Sequence, residues 1–267
     1  MDRMAQTALN SLRMLMENQM ATAHNLSNLS TPGYRQDVVT DFSSIYLSRQ
    51  EGVEPRIMST RNVGGFSVEQ GVMESTRNPL DVAIKNDGYF IIQPKSGSPA
   101  LSRRGDFQTS ETGELLDGAG NKVLDAGMQP IIIPAFRDIT ISPQGEILIQ
   151  PLGGEVGAPP QNVGVLATMV PNAETKLKKS LDGHIRIEPI ENVNPEDGTV
   201  EIEDVPIEPN QQAKLVTGFL EKSNVNAVEE MVNQIDQQRK FEMHIKFIQM
   251  AEEIDTAGAS MLRLPGM

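Results

Sequence analysis

With 267 residues the chain can form one large domain or two modest ones, each able to bury a core, and at 4% aromatic content with no Trp that core must be mainly aliphatic. Thirty-six acidic side chains against 23 basic ones, a formal net charge of −13, argue against nucleic acid, whose phosphates demand concentrated Lys and Arg. The absence of Cys removes disulfides, thiolate metal sites and Cys nucleophiles together.

Gly and Pro are missing from residues 1–31 and again from 219–257, while residues 33–218 hold 20 of the 22 Gly and 15 of the 17 Pro. Two uninterrupted helical ends are therefore expected around a turn-rich middle. In the first end, Met4, Ala8, Leu12, Leu15, Met16, Met20, Ala23, Leu26 and Leu29 recur in steps of three and four, the spacing of one helix face. Such a helix would run about 40 Å at ~1.5 Å per residue. It should stop at or before Thr31, because Pro32 disfavours helix at the preceding residue and Gly33 permits a sharp turn. Only Asp2, Arg3, Arg13 and Glu17 carry full charge among its first 29 residues. A helix lying on a soluble domain usually shows a charged outer face, so this one is expected to be covered on several sides.

Residues 32–75 read as an extended connector. Val38, Val39, Phe42, Ile45, Tyr46 and Leu47 have the makings of an amphipathic element, but Gly52, Pro55, Gly64, Gly65 and Gly71 interrupt what surrounds it. Residues 76–218 read as β-structure expected to fold alone. The runs 81–84, 89–92, 131–133, 139–141, 146–149 and 163–166 are rich in strand formers, and Asn86-Asp-Gly88, Pro143-Gln-Gly145 and Asp197-Gly198 supply turns. No helical pattern alternates with these runs, which favours a mainly antiparallel sandwich or small barrel. Eight carboxylates and no Lys or Arg between Glu188 and Glu208 read as a solvated edge or hairpin.

The second helical end, 219–267, opens with Asn226 followed three residues later by Glu229, a cap signature. Val228, Met231, Val232 and Ile235 then make one stripe. Farther on the pattern divides, with Phe241, Ile245 and Ile248 on one side and Met243, Phe247, Met250 and Ile254 on roughly the other. That apolar surface is wider than one partner helix needs.

Residues arranged for chemistry are scarce. His24, His184 and His244 follow no metal-binding spacing, and neither a GxSxG elbow, a phosphate-binding GxxxxGK loop nor a GxGxxG fingerprint is present. The run Asp117-Gly-Ala-Gly-Asn121 starts like a calcium loop, but Ala119 stands where an oxygen ligand is needed, so a turn is expected. Neither catalytic residues, a metal nor a cofactor are expected. A glycan-cleaving enzyme is the rival reading, and it requires a cleft with two suitably placed carboxylates. A soluble binding module, the third reading, predicts a stable monomer with ordered ends.

Certain residues do resemble a known family. Ala23-His-Asn-Leu-Ser-Asn-Leu-Ser-Thr-Pro-Gly-Tyr34 resembles the AxNLANxxTxG signature, followed by Phe or Tyr, of flagellar rod and hook proteins, with Ser27 in place of the usual Ala. Leu220 to Met231 is similar to the family's LExSNVNxVxEM motif, and Gln238-Arg-Lys-Phe-Glu242 to its QRxFE motif. Between them, Asn78-Pro-Leu-Asp-Val-Ala-Ile84, Gly88-Tyr-Phe90, Ser102-Arg-Arg-Gly-Asp-Phe107, Gly113-Glu-Leu115 and Gly120-Asn-Lys-Val-Leu124 follow the family's order of motifs. Asn25, Asn28, Thr31, Gly33, Tyr34, Ser223, Asn224, Asn226, Gln238 and Arg239 are the motif positions. Within the family, Met1-Asp-Arg3 and Arg239-Lys-Phe-Glu-Met243 look like the proximal-rod member. The distal-rod member more often has Tyr before that Glu, and Asn10-Ser-Leu-Arg13 replaces the family's usual small-residue stretch.

The resemblance implies a structural subunit of the basal-body rod, a tube that transmits torque. Its partners would be other rod subunits and copies of itself. It would leave the cytosol through the flagellar export apparatus without a cleaved signal, and lie in the periplasmic part of the rod. Residues and resemblance together predict an α+β fold in which long terminal helices pair as a coiled-coil-like layer around a mainly antiparallel β middle domain. Residues 1–31 and 219–267 would be the terminal helical assembly domain and 76–218 the β-rich outer domain. The expected assembly interface comprises Met4, Leu12, Leu15, Met20, Leu26, Val228, Met231, Ile235, Phe241, Ile245 and Ile248.

Overall fold

The computed structural model describes residues 2–38, 43–47, 56–60, 65–153, 159–172, 174–180, 182–193, 200–203 and 205–262. They fall into two units, one gathering residues 1–27, 37–65 and 225–267, the other residues 28–36 and 66–224.

The first unit contains helix α1 (Asp2–Ser27), strands β1 (Ser43–Leu47) and β2 (Arg56–Thr60), and helix α2 (Ala227–Leu262). Helix α1 stops before Thr31, as the Pro-Gly pair requires. The N-terminus of α2 is capped by Asn226, whose Oδ1 accepts the N–H of Val228 at 3.1 Å while its carbonyl accepts that of Glu230 at 3.0 Å. β1 and β2 pair antiparallel, Ser43 opposite Thr60 and Leu47 opposite Arg56. Val39, Phe42, Gly52, Pro55 and Gly64 lie outside the described residues.

The expected fold class is corrected here. Among the described residues there are two helices and many antiparallel strands spread over several sheets, and the helices do not pair as a coiled coil. A coiled coil needs one continuous apolar seam with knobs seated in holes. On α2 the apolar residues change face along the helix, and Val228, Met231, Val232, Ile235, Met243 and Met250 are all exposed. Two hydrogen bonds tie α1 to α2. Asn25 Nδ2 donates to Glu230 Oε1 at 2.8 Å, and Gln237 Nε2 to Thr22 Oγ1 at 3.1 Å.

In the second unit the strands in chain order are β3 (Met73–Ser75), β4 (Val82–Ile84), β5 (Tyr89–Gln93), β6 (Ala100–Ser102), β7 (Gln108–Thr109), β8 (Leu115–Leu116), β9 (Lys122–Val123), β10 (Phe136–Ile141), β11 (Glu146–Pro151) and β12 (Gln161–Val165). They continue with β13 (Thr168–Met169), β14 (Leu177–Lys179), β15 (Ile185–Ile187), β16 (Ile190–Val193), β17 (Val200–Glu203), β18 (Leu215–Thr217) and β19 (Phe219–Glu221). One sheet runs β14-β15-β6-β5-β9-β8-β7 with β13 also on β5, another is β10-β11-β12, and β18-β4, β19-β3 and β16-β17 are separate pairs. Run 131–133 is not a ladder strand. Pro130 and Pro134 bracket it and lack N–H donors, so it is held by single bonds such as Leu115 N–H to Ile131 O at 2.9 Å.

Strand β5 lies between two apolar clusters because side chains alternate along a strand. Phe90 points into the cluster containing Phe107, Leu115, Ile141 and Ile147, its ring edge-on to Phe107 at 5.1 Å, whereas Tyr89 and Ile91 join Leu101, Leu124 and Met169. The run 117–121 is a turn organised by Asp117, whose Oδ1 accepts the N–H groups of Ala119 and Asn121 at 2.9 and 2.8 Å.

Candidate functional site: a buried charged junction and an exposed helical surface

The densest polar arrangement lies within the second unit, where three motif blocks meet on the carboxylate of Glu221 at the end of β19. Arg103 donates from Nε and Nη2 to Glu221 Oε2 at 2.8 and 2.7 Å, and Arg35 Nη2 reaches Oε1 at 3.0 Å. The N–H of Gly71 adds a fourth donor at 3.0 Å. All three charged side chains are buried. Two guanidinium groups against one carboxylate leave a surplus positive charge, and backbone carbonyls offset it. Arg103 donates to the carbonyls of Ile84, Asn86 and Gly88, and Arg35 to that of Val68 at 3.2 Å. Burial pushes the Arg35 guanidinium below its usual range, Glu221 opposes that shift, and Arg103 adds to it. Burial likewise raises the Tyr89 phenol, against the pull of Arg35 and Arg103.

Residues 28–36 reach this junction as a strap. Gly33 has φ 66°, and a Cβ there would stand 2.3 Å from the Arg103 backbone, so only Gly permits the approach. Its N–H donates to Glu221 O at 2.7 Å. Tyr34 lies under Lys179, whose Nζ stands 4.0 Å from the ring centroid and donates to Arg35 O at 3.0 Å. Asn224 holds the strap from the other side, its Oδ1 accepting Gln36 N–H at 2.7 Å and its own N–H donating to Tyr34 O at 3.3 Å. Asn28 and Thr31 make the turn at the strap's start, where Thr31 Oγ1 donates to Asn28 Oδ1 at 3.1 Å. Ser223, the neighbour of Asn224 in sequence, is half-buried. Arg103 and Glu221 lie within motif blocks and Arg35 beside one, but nothing in the sequence marks these three, or Lys179, as buried charges that meet.

Asn25 belongs to the first unit and works like a strand partner. Its Oδ1 accepts Asp37 N–H at 2.8 Å and its Nδ2 donates to Asp37 O at 3.0 Å. His24 Nδ1 stands 2.5 Å from Asp37 Oδ2. Among the described residues no group of His, Cys, Asp or Glu is placed to hold a metal, and no helix is long and apolar enough to cross a membrane.

The expected interface residues are distributed unevenly. On α1, Leu15 is buried at 7% exposure, Leu12 and Leu26 are half-buried, Met20 is exposed, and Met4 lies in the first turns. On α2, Val228, Met231, Ile235 and Ile245 are exposed, Phe241 and Ile248 half-buried, and Gln238 and Arg239 exposed. The sequence also missed Glu230, whose buried carboxylate accepts from Asn25.

Two family models match the chain. Residues 83–149 match the flagellar hook protein FlgE/F/G D1 domain, and residues 216–261 match the flagellar basal body rod FlgEFG protein C-terminal family. The chain is 30% identical over 269 residues to the flagellar basal-body rod protein FlgF of Salmonella typhimurium, covering 99% of this chain and 100% of that protein. It is 30% identical to the same protein of Escherichia coli over 97% and 96% of the two chains, and 32% identical to that of Rhizobium meliloti over 87% and 86%. Near full-length similarity, with the motif blocks meeting at one buried junction, establishes that this chain belongs to the flagellar basal-body rod proteins, FlgF type, as a structural subunit of the rod.

Proposed function

We propose that the apolar faces of the terminal helices are the surfaces through which this rod subunit packs against other rod subunits and copies of itself. Met4, Leu12, Leu15, Met20 and Leu26 would contribute from α1, and Val228, Met231, Ile235, Phe241, Ile245 and Ile248 from α2. One observation carries the reading: a row of large apolar side chains from Val228 to Ile254 is exposed along α2, whereas the β unit gathers Phe90, Ile91, Leu101, Leu115 and Ile147 into buried clusters and exposes only scattered ones such as Val72 and Ile132. Burying one such side chain stabilises by about 1.5–3 kcal/mol, so a row of them favours association strongly. Residues 1–31 and 219–267 then act as the assembly domain, 32–75 as the connector and 76–218 as the outer domain. The subunit belongs to the proximal, periplasmic part of the rod, arrives through the flagellar export apparatus without a cleaved signal, and transmits torque rather than catalysing a reaction. Replacing Ile235 with Asp is the test, since a charge would have to be desolvated at the packed surface. Lost rod assembly and motility, with an unchanged unfolding transition of the β unit, is the expected result; normal motility sinks the reading. Assay of the purified chain on cell-wall glycan checks the absence of catalysis.

A further inference from the structure

Helix α2 carries a second chemical property on its exposed face. Met243, Phe247, Met250 and Ile254 follow at intervals of four, three and four residues, which places them on one side of the helix. Met243 is 64% and Met250 57% exposed, whereas Met169 in the β unit is 8% exposed. The chain has no Cys, so no thiol competes for an oxidant, and thioethers are its most readily oxidised side chains.

We propose that Met243 and Met250 form a peroxide-sensitive modification site that governs whether α2 can be packed into the assembly, an inference that rests on the packing role just proposed for this helix. The oxidant is hydrogen peroxide or an organic hydroperoxide. The sulfur lone pair attacks the peroxide's distal oxygen, an S–O bond forms as the O–O bond breaks, and the departing oxygen takes up a proton and leaves as water or an alcohol. Sulfur loses two electrons and the peroxide gains them. The product turns an apolar, flexible side chain into a polar one whose S=O group needs a hydrogen-bond partner. In water that need is met by solvent, so the free subunit tolerates the change. In a dry helical interface it is unmet, and burying the sulfoxide opposes packing. Packing in turn would shield the thioethers, confining sensitivity to the time before incorporation.

The test uses the full chain. Timed hydrogen peroxide treatment with peptide mass spectrometry should show sulfoxide at Met243 and Met250 forming about sevenfold faster than at Met169, the ratio of their exposures. Sedimentation of treated and untreated chain should then show association lost on treatment and restored by methionine sulfoxide reductases. In an M4L/M20L/M231L background, which removes the other thioethers of the proposed packing surface, adding M243L/M250L should leave association at its own untreated level after peroxide, while the background alone should still lose it. Equal oxidation rates at all three positions, unimpaired association of treated chain, or the same peroxide sensitivity with and without M243L/M250L in the M4L/M20L/M231L background would each overturn the proposal. Failure of untreated chain to associate with itself or with other rod subunits would instead overturn the packing role, and this proposal with it, while leaving the oxidation rates to be read separately.

Discussion

The two units use the same kinds of apolar residue in opposite ways. In the β unit Phe90, Ile91, Ile92, Leu101, Leu115 and Ile147 are wholly inaccessible, and even its charged junction is sealed from water. On α2 an equally apolar set faces solvent from Val228 to Ile254. The β unit thus buries most of the apolar side chains on its central strands and pairs most of its junction, with Arg35 Nε and Gln211 Nε2 buried without a hydrogen-bond partner, whereas the helix keeps a row of apolar side chains exposed. Burial concentrated in one unit and deferred in the other is what a subunit needs if it must be a folded body and also a component.

The largest break in that contrast should come from Glu221→Ala. Removing the carboxylate leaves Arg35 and Arg103 buried without a counter-ion, and losing one partner of a buried ion cluster costs about 3–5 kcal/mol. Chemical denaturation should show a correspondingly lower midpoint for the β unit. A change below about 1 kcal/mol would mean that the carbonyls of Ile84, Asn86, Gly88 and Val68 suffice on their own.

A smaller effect is expected at the helix. Asn226→Ala removes the acceptor for the Val228 N–H and should cost ~1 kcal/mol, seen as faster amide exchange in the first turn of α2 with no change in β5. Equal change in both places would mean that the helix start and the β unit unfold together.

Weaker still is the pH response of Asp182, whose hydrogen bond to Arg186, opposed by partial burial and aided by the His184 N–H, holds its carboxyl below the usual range. A depressed carboxylate contributes stability that is present above its unfolded value, about 3.9, and is lost as pH falls through the folded value. The side chain is 39% exposed, so solvent screening keeps the contribution below ~0.5 kcal/mol. Denaturation midpoints of the parent and Asp182→Asn should therefore converge in acid and differ slightly near neutrality. Divergence that grows on acidification would reverse the assignment.

The smallest effect on stability should be that of Ile235→Asp in the isolated subunit. Its side chain is 52% exposed, and substitutions at exposed positions stay within about ±0.5 kcal/mol. A large loss of stability there would show that α2 is already packed in the single chain. Leu15 differs, being buried on α1, so Leu15→Asp combines a folding defect with any assembly defect and makes a poorer probe.

Local signals were readable in the sequence wherever the physics is local. Asn226 caps α2 because a side chain two residues from an unpaired N–H needs no distant partner, and Pro32-Gly33 ends α1 by steric rules that act on neighbours. Asp117 organised its own turn for the same reason. The run 131–133 has strand propensity but is no ladder strand, because Pro130 and Pro134 limit its pairing.

The sequence by itself therefore determined where α1 stops, where α2 is capped and, through its ordered motifs, the family, although the stretch read as helical from 219 begins with strand β19. Only the tertiary structure decided which charges are buried and what the helix faces touch. Arg35, Arg103 and Glu221 belong to segments far apart in the chain, and nothing in their own neighbours says that a fold will bring them to one dry point. Apolar periodicity on α2 marked faces without saying what covers them, and that is why a coiled-coil seam was expected where the structure instead has polar ties and exposed apolar side chains. Periodicity is a property of one helix, whereas packing is a property of two surfaces, and the second is absent from any single segment of sequence.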